Sequence, residues 1–254
     1  AMIQISDKIV ARLGSESRAV VKSLVDSSME LALEKGEIIS KVHRLSKGQN
    51  YFVKTRTLVA SVRGTEFLVR ADEKINKVAV RVGAVAIDSE SEKVVEQNLI
   101  AGKTATVSSD IVVETMTNKD IVIEDISLKD KKKIEMFAKI EPLPEDVIAK
   151  PAELDKQKDV FEKTTKELDR IELMSNTELM SEIQREKIQN LLQKETRTIE
   201  EIKEVFERID VVSLYSGKVI QGAIVERGEK YKIITQTGVV DVPKNEVRGV
   251  RVIR

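Results

Sequence analysis

The chain has 254 residues, enough for one large domain or two to three small ones, and 41% of them are hydrophobic. Aromatics are only 3% and tryptophan is absent, so the cores must be built from Val, Ile and Leu, and sugar-stacking sites are poorly supplied. Lys plus Arg and Asp plus Glu number 43 each, which removes any global charge that would point to nucleic acid or anionic lipid. The absence of cysteine excludes thiol nucleophiles, thiolate zinc sites and disulfides, and a single histidine, His43, excludes a multi-histidine metal site. No run approaches the ~20 apolar residues that span a bilayer. The opening Ala1-Met2 predicts a chain from which an export segment has been removed.

Residues 3–126 read as β-rich. Residues 20–21, 29–33 and 38–39 are short strand candidates. Glu34-Lys35-Gly36-Glu37 and Ser46-Lys47-Gly48-Gln49-Asn50 read as turns in which glycine supplies positive φ. The stretch 51–70, YFVKTRTLVASVRGTEFLVR, is dense in β-branched residues. Tyr51, Val53, Thr55 and Thr57 share one parity, and Phe67 and Val69 repeat it beyond Gly64. That period of two predicts two strands meeting at a glycine turn or bulge. Residues 75–82 alternate again, with Val78, Val80 and Val82 on one face.

The run VKTRTLVASVRGTEFLV resembles the core signature of the FecR domain family, V-x-T-P-T-x-x-A-x-V-R-G-T-x-F. Val53, Thr55, Thr57, Ala60, Val62, Arg63, Gly64, Thr65 and Phe67 fall at the family spacing, and Arg56 stands where the family often has proline. Residues 82–87 and 99–107 resemble two later strands of the family, so the likeness covers residues 20–110. It implies an all-β domain of many short strands, curled into a roll or sandwich. It also implies a binding and signalling module; in the iron-signalling proteins that name the family, the domain is periplasmic and relays information from an outer-membrane receptor to an anti-sigma mechanism.

Residues 127–150 predict a short helix, capped by Ser127 and Asp130, followed by a linker with Pro142 and Pro144; Pro151 suits a first helical position. Residues 151–209 change character: between 150 and 209, 27 of 60 residues are charged and glycine is absent. Leu154, Phe161 and Leu168 recur every seven residues. Ser175 with Glu178 forms a second capping box. Ile188, Leu192, Glu195, Ile199, Ile202, Phe206 and Ile209 then follow a heptad seam with Glu195 as a polar intruder. The pattern predicts a long helical hairpin, its second helix continuous over residues 177–208 and roughly 48 Å long. Ile188, Leu192, Ile199, Ile202 and Phe206 form a candidate homodimer seam. Residues 210–254 return to five short strands separated by glycine turns, as expected of a small five-stranded barrel resembling the Sm-like type.

No phosphate loop, dinucleotide fingerprint, nucleophile elbow or zinc-protease motif is present, and no catalytic, metal or cofactor site is predicted. His43 sits between cations on a strand and reads as a surface residue. The acidic pairs Glu200-Glu201 and Asp88-Ser89-Glu90 lack an oxygen-rich loop and read as solvated charge. Arg63 admits two readings. It could grip a carboxylate or phosphate bidentately. The expected reading is structural: Gly64 permits a tight strand junction, Thr65 bonds locally, and Arg63 clamps carbonyls or Glu66.

The expectation is therefore an α+β multidomain protein: a FecR-like all-β domain (3–126), a helix and linker (127–150), a helical hairpin (151–209) and a small barrel (210–254). Its function is expected to be non-enzymatic, a signal-relay or scaffold module acting through protein–protein contacts, periplasmic or at the cell surface, with or without a lipid anchor. A nucleic-acid-binding adaptor is the first alternative: residues 211–254 carry 8 Lys and Arg against 4 Asp and Glu, with Tyr215 and Tyr231, but the cations are scattered. A glycan or peptidoglycan binder is the second, disfavoured by the chain's eight aromatic residues.

Overall fold

The computed structural model describes residues 1–25, 28–144 and 151–254. Residues 145–150 of the expected linker, and the side chain of Leu154, lie outside the described residues. The chain divides into two units, Ala1–Met174 and Ser175–Arg254.

The first unit is built around one 15-residue strand, β4 (Ser28–Val42). Its N-terminal half pairs antiparallel with β3 (Arg18–Val25) and parallel with β5 (Asn50–Lys54). Its C-terminal half pairs with β2 (Ile9–Leu13), itself flanked by β1 (Met2–Ser6), and with β7 (Glu66–Ala71). From β5 the ladder continues through β6 (Val59–Val62), β9 (Ala84–Asp88) and β10 (Gln97–Ile100). From β7 it continues through β8 (Ile75–Val82), β11 (Lys103–Ser108) and β12 (Val122–Asp125). The two half-sheets fold over one core in which Leu31, Tyr51, Val53, Ala60 and Val62 of one half meet Ile38, Phe67, Val69, Val78 and Val80 of the other. Each of these residues is at most 2% exposed, so Tyr51, Val53, Phe67 and Val69 of the period-two reading lie on the inner face of this core.

One expectation changes here. Glu34-Lys35-Gly36-Glu37 is not a turn between two strands; the strand runs through it with a kink at Gly36, whose φ is +94°. At that kink β4 exchanges partners, from β3 and β5 to β2 and β7. Turn-like composition marks a bend in both cases; what keeps this one in the sheet is the set of new partners beyond it.

The outer face of the β7 half is covered by α1 (Leu128–Phe137) and α2 (Pro151–Leu173). Val10, Ile39, Leu68 and Ala79 of the sheet pack against Ile134 and Phe137 of α1 and Leu168 of α2, with Phe161 alongside. Ser127 caps α1 as expected, accepting the Asp130 amide at 3.1 Å. The sparse apolar stripe of α2 thus lies on a sheet.

The second unit opens with α3 (Asn176–Gln193), N-capped by the Ser175–Glu178 box. The expected continuous helix over residues 177–208 is interrupted. Helix α3 ends at Gln193, and a separate helix α4 (Ile199–Phe206) starts from a Thr198–Glu201 capping box. Glu195, the polar intruder in the heptad, lies in the gap. Arg197, 7% exposed, fixes the break: its guanidinium donates to the carbonyls of Leu191 (2.6 Å) and Leu192 (2.9 Å) at the end of α3, and to Thr235 (3.4 Å). Strands β13 (Ile209–Leu214), β14 (Val219–Arg227), β15 (Lys230–Thr235) and β16 (Gly238–Pro243) form a meander. The last strand, β17 (Val247–Ile253), returns to pair with β13. One face buries Val212, Ile220, Ile224 and Ile233. Leu191 and Ile202 of the helices pack on Ile209, Val211, Ala223 and Ile234.

Candidate interaction surfaces

The signature residues form a crossing point between the two half-sheets. Strand β6 pairs with β5 and β9, while β7 pairs with β4 and β8, so residues 63–65 carry the chain from one half to the other. The crossing is held by backbone: Val42 and Thr65 exchange N–H to C=O bonds at 2.9 and 3.0 Å, and the Leu45 amide donates to the Arg63 carbonyl at 2.8 Å. Val53, Ala60, Val62 and Phe67 are core residues. Thr55 closes the β5–β6 turn, its hydroxyl oxygen accepting the Leu58 amide at 3.0 Å. Thr57 and Thr65 are buried at 2% exposure each, with hydroxyls that find no protein partner.

The glycine that this crossing needs most is one the sequence reading passed over. Gly83 has φ +84°, and a Cβ there would lie 2.5 Å from Thr65 Cγ2 and 2.6 Å from the Gly64 carbonyl oxygen. Gly64 itself is not in the left-handed region; a Cβ on it would sit 3.4 Å from Arg44 Cα. In the sequence Gly83 falls in the stretch 82–87 that resembles a family strand, which gives it no role at the crossing.

Arg63 makes neither the carbonyl clamp nor the pairing with Glu66 expected of it. Glu66 is paired with Arg81 of β8, one strand away. Arg63 is exposed, and only its Nε donates, to Asn50 Oδ1 at 3.1 Å. It borders a shallow concavity of about 650 Å³ that also takes in Arg44, Ser46, Lys47 and Gly64.

A second charged region is closed and balanced. Under α1 and α2, Glu37 of β4 accepts from Arg70 (2.6 Å) and pairs with Lys133 (2.5 Å), and Lys133 also reaches Glu172 at 2.7 Å. Arg12 donates to Asp169 at 2.6 Å. These groups line a cavity of about 460 Å³. Lys77 donates to Asp130 at 2.7 Å. Lys41 and His43 both engage Glu141, so His43, read as unpartnered, has a carboxylate at 2.9 Å. Opposite charges neutralise one another throughout, and the arrangement fastens the helices to the sheet.

The titration of this network is testable. Burial acts to raise the Asp130 carboxyl, but Lys77, the Ser127 hydroxyl and Arg70 hold it below its ordinary value. Glu172 is likewise held low against burial, by Lys133 and Arg70, and Glu141 by its hydrogen bond from Lys41. Near pH 4 the unfolded chain therefore binds more protons than the folded one, and stability rises with pH through that range. This contribution is complete above about pH 5 and is lost as pH falls through the depressed folded values. Urea midpoints measured from pH 7 down to pH 3 are expected to hold steady and then fall below about pH 4.5; a flat profile would contradict the assignment.

Strand β3 is an open edge. Among the described residues it pairs only with β4, and Val21, Leu24 and Val25 are 51, 60 and 63% exposed. An uncovered apolar edge of this length is a site where another chain can add a strand. The seam residues are partly consumed within the second unit: Ile202 is fully buried, and Ile188, Ile199 and Phe206 pack on the same cluster, leaving Leu192 at 40% exposure. Among the described residues no group of His, Asp and Glu could hold a metal, and no helix is long and apolar enough to cross a membrane.

The first unit is a β-sheet fold with a helical cover, joined in sequence to a second, smaller unit. The model of the FecR protein family matches residues 1–86, about a third of the chain. The match takes in β1 and the Arg63 crossing and stops before residues 99–107. Two crystal structures of a candidate anti-sigma factor from Parabacteroides distasonis ATCC 8503, at 1.65 and 2.50 Å resolution, are each 20% identical to this chain with a TM-score of 0.43. Each alignment covers 54% of this chain and 59% of the other, so the chain spans under two thirds of those proteins' length. A comparison with curated proteins finds no match.

Proposed function

We propose that this chain is a non-enzymatic interaction module of the bacterial cell envelope, periplasmic or cell-surface, that relays a signal or scaffolds an assembly through protein–protein contacts. The observation that carries the reading is the FecR family match over residues 1–86, which spans both the open β3 edge and the Arg63 crossing. The exposed apolar side chains of β3 support a surface meant to be covered by a partner. In the second unit, a fifth strand returning to the first supports the reading of a small barrel of Sm-like type.

The test is made in the organism that encodes the chain. A photo-crosslinking residue at Leu24 is expected to give one discrete protein adduct in the envelope fraction. A cytoplasmic location with adducts to nucleic acid would overturn the reading and favour the adaptor.

A further inference from the structure

The concavity at the Arg63 crossing differs in charge from everything around it. In the first unit, Arg12, Arg18 and Arg70 each have a carboxylate within 2.7 Å, and Arg81 is paired with Glu66. Arg44 and Lys47 have no such partner among the described residues, and Arg63 uses only its Nε, on the neutral Asn50. Among the described residues no carboxylate lines the concavity. Lys8 adds a fourth cation at its rim, donating to Ser46 Oγ at 3.1 Å. Glu141 of the adjoining segment is held by Lys41 and His43.

The cations stand on a rigid base. The Leu45 side chain is buried in the main core, and its amide is bonded to the Arg63 carbonyl. The turn that carries Lys47 is closed twice, by Gln49 N–H to the Ser46 carbonyl and by Ser46 N–H to Gln49 Oε1, both at 3.0 Å. Gly64 leaves the floor bare. The backbone that carries Arg44, Lys47 and Arg63 is thus fixed, and a planar guanidinium loses less freedom per hydrogen bond formed with a carboxylate than an ammonium does.

We infer that this concavity binds an acidic, extended segment of a protein partner, with Arg44 and Arg63 gripping its carboxylates and Lys47 and Lys8 supplying the surrounding field. The proposal rests on the reading of the chain as a protein-interaction module and adds the chemistry of the partner. Charge complementarity selects carboxylates: Arg44, Lys47 and Arg63 line one concavity, and no acidic residue among the described residues lines it with them. No residue of a helix lines the site, and phosphate pockets are usually built from converging backbone amides at a helix N-terminus or nest. Four side-chain cations around an open glycine floor suit a chain laid across it.

The experiment is a fluorescence anisotropy titration of the full chain with a labelled peptide of alternating Glu and Ser, at low and at physiological salt. Binding is expected, weakening as salt rises. The double variant Arg44→Gln/Arg63→Gln is expected to lose at least ~10-fold in affinity, with its urea midpoint unchanged. Lys47→Glu, on an exposed turn, is expected to weaken binding as well. Arg56→Gln, an equally unpaired arginine at the far end of the β5–β6 hairpin, is expected to bind as the parent does. Equal binding by the double variant, or no binding by the parent chain, overturns the proposal. So does retention of phosphatidylglycerol vesicles or displacement by inorganic phosphate in place of peptide binding, which would make the site a phosphate or lipid-headgroup site. Such failures with the Leu24 crosslink intact would sink this site alone. Loss of the crosslink in a cytoplasmic protein would sink the broader reading.

Discussion

Replacing Gly36 with alanine is expected to lower the stability of the first unit by about 3–5 kcal/mol, the sum of backbone strain and overpacking. Gly36 has φ +94°, a region that L side chains rarely adopt, and a Cβ there would lie 2.2 Å from Ser17 Oγ and 2.6 Å from Ser17 Cα. The second contact is with backbone, so no rotamer change relieves it. Ser17 cannot retreat cheaply, because its hydroxyl oxygen accepts the Glu37 amide at 2.9 Å and the Gly14 amide donates to the Glu37 carbonyl at 2.8 Å. The strain falls where β4 changes partners, so both half-sheets lose their shared strand. Chemical denaturation of the full chain measures the effect. A loss below about 1 kcal/mol, the ordinary scale of a surface substitution, would mean that the kink is not as tight as described.

Glu37→Ala is expected to cost about 3 kcal/mol, for a different reason. Glu37 is 6% exposed and Lys133 3%, and the carboxylate is shared between Lys133 and Arg70. Removing it leaves two cations with only Glu172, at 2.7 and 3.4 Å, to answer them. Breaking a buried pair from one side is costly because the remaining charge keeps its desolvation penalty. The compensated variant Glu37→Leu/Lys133→Met is therefore expected to recover part of the loss. A double variant no more stable than Glu37→Ala would contradict this account, because relief of the unpaired Lys133 charge is what should restore stability. Both substitutions act at one bend, since Gly36 sets the turn of backbone that carries Glu37 under α1.

What sequence could and could not convey follows from the range of each signal. Alternation over residues 51–70 identified part of the inner face, because burial on one side of a strand is a local pattern: Tyr51, Val53, Phe67 and Val69 are in the core, whereas the turn at 55–58 shifts the parity so that Ala60 and Val62 face inward on β6. The capping residues Ser127 and Ser175 were legible for the same reason. Gly36 was misplaced because a kink and a turn share composition, and only the distant strands β2 and β7 distinguish them. The heptad carried the eye across residues 194–198, although Glu195 and the Thr198–Glu201 box both signalled a stop there. The stop itself depends on Arg197 reaching Thr235, a contact 38 residues away. Arg63 was paired on paper with its sequence neighbour Glu66, whereas the sheet brings Arg81 to that carboxylate. With that acid taken, Arg63 keeps a single hydrogen bond, to Asn50.

The most direct test separates the two roles that Arg63 was weighed for. Arg63→Ala should leave the unfolding free energy of the full chain, measured in urea, within about 1 kcal/mol of the parent, as expected when an exposed side chain with one hydrogen bond is removed. In the cells that encode the protein, the same variant should lose the adduct formed by a photo-crosslinking residue at the exposed Ala84 on the rim of the concavity. A variant that unfolds several kcal/mol earlier, or that folds normally and still forms the adduct, would contradict the account.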